Sequence, residues 1–458
     1  MVTPADLVAS SGNLLSDFSW RIMNILFVHE VDWVNKVVYD LHNLAELLSL
    51  LGHRVYAIDY ENAWSRNGPL DFGSLRTSEF NGISRAFPGS SVSLRRPGFV
   101  KIPALSRLSA GLTHYFEIRR TIRDKNIDVI VLYSVPTNGL QTIYLARKFD
   151  IPVVFRSIDI LHQLVPHSVV RPVSQIPAVS RLTDALYHPV LYHVLRPTTK
   201  ILEKSVYSRV DMVLAITPRH SQYVVQMGAQ ESKVKLLPLP IDTNLFRPSV
   251  DYSHIRQKWG LTKRDKIILF VGTLFEFSGL DVFIREFPRI LQRVPESKLL
   301  IVGDGAQRPK LESIVAELGL QKQVIITGIE PYQTMPQYMN IATVCINPFV
   351  MTDETRDIFP GKIIQYIACG KATVATPLLG ITSLIPDESQ GLLYAKDAGE
   401  MAAKVAQLLE YPEYRQKLES SGLNYIKQNH DHMVIARKLE SDLQGCIKDK
   451  RDRGNKEI

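Results

Sequence analysis

A chain of 458 residues with 45% hydrophobic content is long enough for two or three domains with real cores. No apolar run reaches the roughly 18 residues of a membrane-spanning helix, and the first 22 residues lack the basic start and apolar core of a secretory signal. Three cysteines (Cys345, Cys369, Cys446) without CxxC spacing argue against a disulfide framework or a zinc site and for a reduced, cytoplasmic setting, while the net charge is +8.

The first strand pattern is "MNILFVHE" from Met23, so residues 1–22 read as a flexible extension. Val37, Leu41, Leu44, Leu48 and Leu51 follow at helical spacing, Gly52 supplies a stop, and "HRVYAIDY" returns as a strand. Between Arg85 and Lys125 nine basic residues face two acids, interleaved with Leu94, Phe99, Leu105, Leu108, Leu112, Tyr115 and Phe116. That mixture suits the face of an anionic membrane, at about 1 kcal/mol per basic residue near the lipid. The plainer reading is a solvated helix face, and no nucleic-acid module accompanies the run.

"DVIVLYS", a helix near 139–149 and "PVVFRS" continue the alternation. A Pro- and His-punctuated segment from His162 to Arg209, with "DALYHPVLYHVLRP" interrupted at Pro189, reads as an excursion near a substrate or membrane face. "DMVLAIT" and "KVKLLPLPID" close the first half, and "DTNLFRPSVDYSH" breaks the pattern. The second half starts afresh with "KIILFVGTL", "LDVFIREFPRILQRV", "SKLLIVGDG", "QRPKLESIVAELGL", "QVIITG", "TMPQYMNIA", "TVCINPF" and "ATVAT", then a helix near 398–409. The expected units are 23–248, 249–430, and a C-terminal helix with a charged, frayed tail over 431–458. Alternating strands and helices predict an α/β protein with two parallel-sheet domains facing a cleft, and ligands outside the carboxyl ends of the strands.

The ordered set "FVGTL…SGLDVFI", "LLIVGDGAQRPKLE", "VIITGIEP…MPQYMNIATVCINPF" and "FPGKIIQYIACGKATVAT", preceded by "AITPRHSQYVVQMGAQESKVKLLPLPIDTNLFRP", resembles GT-B glycosyltransferases of family 4 from about Met23 to His430. The resemblance implies two Rossmann-like domains, a nucleotide-diphosphate sugar (UDP- or GDP-linked) held mainly by the second, and retaining transfer without a metal or other cofactor. A glycan or lipid-linked acceptor at the inner membrane face would suit the basic run. It also implies donor contacts at Gly272, Thr273, Ser278, Gly303, Gly305, Arg308, Gly361 and Gln365.

Breaking a sugar–diphosphate bond builds charge on the leaving phosphate, which fixed donors and cations must stabilise. "FPGK" supplies a helix start with Pro360 in the first turn, Gly361 for close approach and Lys362 as a cation. The family's two glutamates eight positions apart correspond to Asp357, for the sugar hydroxyls, and Gln365, for the ribose. Its diphosphate-binding Arg and Lys correspond to Thr273 and Ser278, which leaves Lys362, Arg308, Lys310 or Arg356 to compensate. Its active-site His corresponds to Ile158, while the neighbouring Asp159 is kept to position the acceptor. In a front-face route the departing phosphate itself takes the acceptor proton. Trp33, as a stacking wall, with Lys36 and His162, are the remaining acceptor-side candidates. "GDG" lacks the GxGxxG form of a nicotinamide site. The lost cations leave a second reading, a catalytically impaired, glycosyltransferase-like binding or scaffold protein, and a third, a sugar-nucleotide epimerase.

Overall fold

The computed structural model describes residues 22–36, 38–61, 71–102, 105–163 and 191–454. Apart from Ile22, the expected extension lies outside the described residues, as does 164–190 of the Pro/His segment.

The first sheet has eight strands: β1 (Asn24–Val28), β2 (Arg54–Ile58), β3 (Ser78–Ile83), β4 (Val92–Arg96), β5 (Val129–Leu132), β6 (Val153–Ser157), β7 (Met212–Ala215) and β8 (Val234–Leu236). Their order is β3-β4-β2-β1-β5-β6-β7-β8, parallel except for the β3–β4 pair. The central strands are buried runs such as "VIVL" and "MVLA", as a sheet covered on both faces requires. One face packs on the helices Asp40–Leu50 and His432–Gly454. The other packs on Leu105–Lys125, Gly139–Lys148 and Arg196–Tyr207.

The second sheet contains β9 (Lys266–Val271), β10 (Ser297–Val302), β11 (Val324–Ile326), β12 (Val344–Asn347), β13 (Thr373–Ala375) and β14 (Leu392–Tyr394), ordered β11-β10-β9-β12-β13-β14 and wholly parallel. The chain passes between the domains at 237–252 and returns at 430–432. The two crossings are stitched together: Ile241 N–H donates to the His430 carbonyl (2.8 Å) and His432 N–H to the Ile241 carbonyl (3.1 Å).

Three expectations change here. The C-terminal helix does not fray after Lys448 but runs to Gly454, where Lys450, Arg451 and Arg453 meet Asp150, Asp211 and Asp128. It belongs to the N-terminal core through Ile435, Leu439 and Leu443, and Glu440 bonds the buried His53 ring at 2.9 Å. The basic run is no free stripe either. Arg95 pairs with Glu79 and Glu117, Arg96 with Asp32 and Asp59, Lys101 with Glu61 and Asp71, and Arg120 with Glu117 and Asp124. Arg107, Arg120 and Arg123 stay exposed, and beside them Leu105, Leu108, Leu112 and Phe116 expose one apolar helical face.

Candidate active site

The loops after β9 and β10 lie backbone to backbone, and glycine is what permits it. Gly272 and Gly303 have φ of +145° and +141°, and a Cβ on Gly303 would stand 2.0 Å from the Gly272 carbonyl oxygen. A Cβ on Gly305 would sit 2.7 Å from the Leu274 oxygen. Three of the expected donor glycines, Gly272, Gly303 and Gly305, therefore occupy one tight corner at the carboxyl end of the sheet, while Gly361 lies at a helix N-cap facing Leu239.

Lys362 fills the space that corner leaves. Its Nζ lies 4.0 Å from the Phe270 ring centroid and 4.7 Å from that of Phe349, and a side chain on Gly272 would bring a Cβ within 2.6 Å of it. Among the described residues no carboxylate pairs with this ammonium. Burial alone lowers its pKa from 10.5 to about 7. The helix Lys362–Ala368 that carries it is locked down by Ile363, Ile364 and Ile367, and by the Tyr366 hydroxyl, which accepts the Val271 N–H at 2.7 Å.

The helix start differs from expectation. Pro360 precedes the cap rather than opening the first turn, Gly361 is the N-cap in ordinary helical φ/ψ, and the Pro360 carbonyl takes the Ile363 N–H. With only seven residues, the helix leaves Lys362 as the principal positive group of this turn.

A cavity of about 260 Å³ between the domains is lined by Gly361, Lys362 and Gln365 from one side, Tyr39, Asp40 and Arg85 from the other, and Tyr332. Tyr332 and Gln365 share this wall, and burial raises the Tyr332 pKa against the smaller, lowering effect of the Gln365 side chain. Asp40 is held by Arg156 in a buried two-pronged pair (2.9 and 3.0 Å) and accepts from the Tyr133 hydroxyl.

Asp159 and Asp357 approach from opposite domains and line one small pocket with His220 and Glu354. Although Asp159 opens to solvent, the surrounding protein desolvates it. Together with the charge of Asp40, and against that of Lys36, this raises its pKa from 3.8 to about 6. Asp357 accepts from Arg219 Nε at 2.7 Å. His220, hydrogen-bonded to Ser157 at 2.7 Å, is pushed down to about 4 by burial and the Arg156 charge, so it is neutral here. Arg219 and His220 lie inside "AITPRHSQ", but nothing in their spacing singles them out. Among the described residues no group of three His, Cys, Asp or Glu side chains is placed to hold a metal ion.

Several expected residues lie elsewhere. Trp33 is 0% exposed, because its loop is tied inward: its N–H donates to Asp59 and its carbonyl accepts from Arg85, with the His42 ring nitrogen at 2.9 Å. It is core, not a stacking wall. Ser278 is 2% exposed and withdrawn from the cleft, whereas Thr273 is exposed. Arg308 does not replace the lost cations, being paired with Asp304 and Glu312, and Lys310 pairs with Asp281. Two acceptor-side candidates do lie beside the site: Lys36 is exposed near Asp159, and His162, buried with its Nδ1 2.7 Å from Glu203, lines a cavity together with Arg356 and Asp357.

Two family models match this chain: a glycosyl transferase 4-like domain over residues 37–240 and glycosyl transferases group 1 over residues 265–411. A D-inositol 3-phosphate glycosyltransferase of Acidothermus cellulolyticus is 26% identical over 239 residues, 50% of this chain and 52% of that protein. A GDP-mannose-dependent alpha-(1-6)-phosphatidylinositol monomannoside mannosyltransferase of Mycolicibacterium smegmatis is 27% identical, over 46% and 56% respectively. The chain thus spans about half the length of the curated relatives it matches. Among solved structures, Anabaena HepE in complex with UDP and glucose superposes with a TM-score of 0.64 at 17% identity, over 92% of this chain and all of that one. WaaG, a glycosyltransferase involved in lipopolysaccharide biosynthesis, gives 0.59 at 14%, with the same coverage. At such identities the likeness shows the fold, which is GT-B.

Proposed function

Since this chain belongs to the group 1, family 4-like glycosyltransferases, we propose that it moves a sugar from a UDP- or GDP-linked donor to a glycan or lipid-linked acceptor, retaining the anomeric configuration and using no bound metal. The observation that carries this reading is Lys362: a half-buried, desolvated ammonium without a carboxylate partner among the described residues, at the wall of the interdomain cavity. A desolvated, unpaired cation is costly, and a diphosphate would supply the missing charge.

In this reading Gly272, Gly303 and Gly305 keep the diphosphate corner open, Lys362 neutralises charge on the departing β-phosphate, and Gln365 with Tyr332 meets the ribose. Asp357 accepts a donor-sugar hydroxyl, and Asp159, mostly ionised at neutral pH, accepts the acceptor hydroxyl and aims it at the anomeric carbon. The glycosidic bond to phosphate breaks, the new bond forms on the same face, and the acceptor proton passes to the leaving phosphate. Metal-free charge compensation by one lysine supports the reading without a cofactor. The exposed Leu105–Phe116 stripe supports peripheral membrane contact, which flotation of a Leu108→Ser/Leu112→Ser variant with anionic vesicles tests through lost binding.

Calorimetric titration with UDP and GDP, followed by a screen of their sugars for hydrolysis and by NMR of the product anomer, tests the whole. Binding that depends on Lys362, with a product of the donor's configuration, is expected. Binding without turnover across the panel would favour the binding-protein reading, whose ground is the loss of cations at Thr273 and Ser278.

A further inference from the structure

A larger cavity, about 570 Å³, adjoins the site and shares Asp357, Ile160 and Gln163 with the small pocket that holds Asp159. Its charges are unbalanced. Lys200, Lys204, Arg219 and Arg356 line it, with Asp357 as the one carboxylate among the described residues of its wall. Lys200 and Lys204 stand one turn apart on the helix Arg196–Tyr207, both exposed, and among the described residues neither forms an ion pair. Like charges at that spacing repel each other. Arg356 pairs through Nη1 with Asp353 (3.3 Å), while its buried Nε, 3.7 Å from Asp357, has no hydrogen-bond partner, and Arg219 donates its Nε to Asp357. Counting Asp353 beside Arg356, four cations against two carboxylates leave a surplus of about two charges, what a phosphate or diphosphate neutralises. Between the cations the wall is apolar: Ile201, 66% exposed, with Pro197 and Met227.

We infer that this cavity is the acceptor subsite, and that the acceptor carries a phosphate or diphosphate beside the hydroxyl that is glycosylated. The anion lies among Lys200, Lys204, Arg219 and Arg356, which brings the neighbouring hydroxyl toward Asp159 and Asp357. This assignment of substrate class rests on the transfer reading above. The phosphate chemistry is common to a soluble phosphorylated sugar or polyol and to a lipid headgroup, and the apolar wall beside the cations accommodates either.

The test uses the full chain and inorganic pyrophosphate as probe, in a Lys362→Met background so that the donor corner does not report. Adding Lys200→Gln and Lys204→Gln is expected to weaken pyrophosphate binding by about tenfold or more. In the wild-type background the same pair leaves UDP and GDP affinity within about twofold and the melting temperature unchanged or higher, since a repulsion is removed. Pyrophosphate affinity indifferent to the two lysines overturns the proposal, as does an equal loss of nucleotide affinity in a folded protein. Competition by glycerol 3-phosphate assigns a soluble source. Lysine-dependent sedimentation with phosphatidylcholine vesicles only when they contain phosphatidic acid assigns a lipid source. Pyrophosphate bound through Lys200 and Lys204 with no nucleotide bound anywhere would sink the transfer reading and leave an anion site standing.

Discussion

Replacing Lys362 by Met should move stability and function in opposite directions. Holding the lysine at a pKa of about 7 rather than 10.5 corresponds, at about 1.4 kcal/mol per pH unit, to an upper bound of roughly 5 kcal/mol of unfavourable desolvation. Methionine removes that cost and keeps the stem between Phe270 and Phe349, while about 0.5–2 kcal/mol of cation–π attraction is lost. The unliganded variant should therefore be about 3 kcal/mol more stable at pH 6. Wild-type stability relative to the variant should rise with pH between about 7 and 10.5, where the unfolded chain holds the proton and the folded one does not. The gap is full below pH 7 and closes toward 10.5.

Nucleotide binding should fail in the same variant. Losing a charge-assisted contact to phosphate costs on the order of 1.5–3 kcal/mol, or roughly 10- to 150-fold in Kd. In the wild type the lysine must be charged to hold a diphosphate. Affinity for UDP or GDP should then decline above pH 7, by up to about tenfold per pH unit, with proton uptake visible as buffer-dependent heat in calorimetry. Denaturation at several pH values and nucleotide titration check both halves. A variant that binds nucleotide like the wild type, or is less stable at pH 6, would show that the ammonium is neither desolvated nor a ligand group.

Gly303→Ala should destabilise the protein by more than about 3 kcal/mol in urea titration, because the new Cβ meets the Gly272 oxygen at 2.0 Å on a backbone with φ of +141°. Asp159→Asn should lower the transfer rate by about tenfold or more with nucleotide affinity unchanged. It should also erase an acid limb near pH 6 in the rate profile, since the raised carboxyl is neutral below that pH and charged above it. Arg156→Met should cost about 3–5 kcal/mol by stranding the buried Asp40 charge. Adding Asp40→Asn should recover part of that loss in the same melting assay.

Strands that cross a domain's middle announced themselves in sequence because burial on both faces makes them continuous apolar runs, such as "NILFV" and "KIILFV". Two edge strands did not. β3 is exposed along most of its length ("SEFNGI") and β14 is a three-residue piece without a pattern of its own, whereas the edges β8 and β11 showed in "KVKLLPLPID" and "QVIITG". The helix at 432–454 was legible as a helix, but its membership in the first domain was not, since Ile435 and Leu439 reach a sheet some 400 residues earlier in the chain. No local pattern encodes that pairing.

The site divides along the same line. Backbone demands left a trace: Gly272, Gly303 and Gly305 stand in order because each closes a contact that any side chain would break. Side-chain partnerships left none. Arg308 and Lys362 are equally basic in sequence, yet Asp304 and Glu312 neutralise the first, while Phe270, Phe349 and the absent Gly272 side chain isolate the second. Trp33 reads as a loop aromatic until Asp59, His42 and Arg85 pull its backbone inward. Gly272 and the lysine that occupies the space a Gly272 side chain would fill are 90 residues apart, from position 272 to 362. Neither is interpretable alone. Together they form a pocket whose empty form is strained by one unpaired charge, which is the physical reason a diphosphate would be drawn to it.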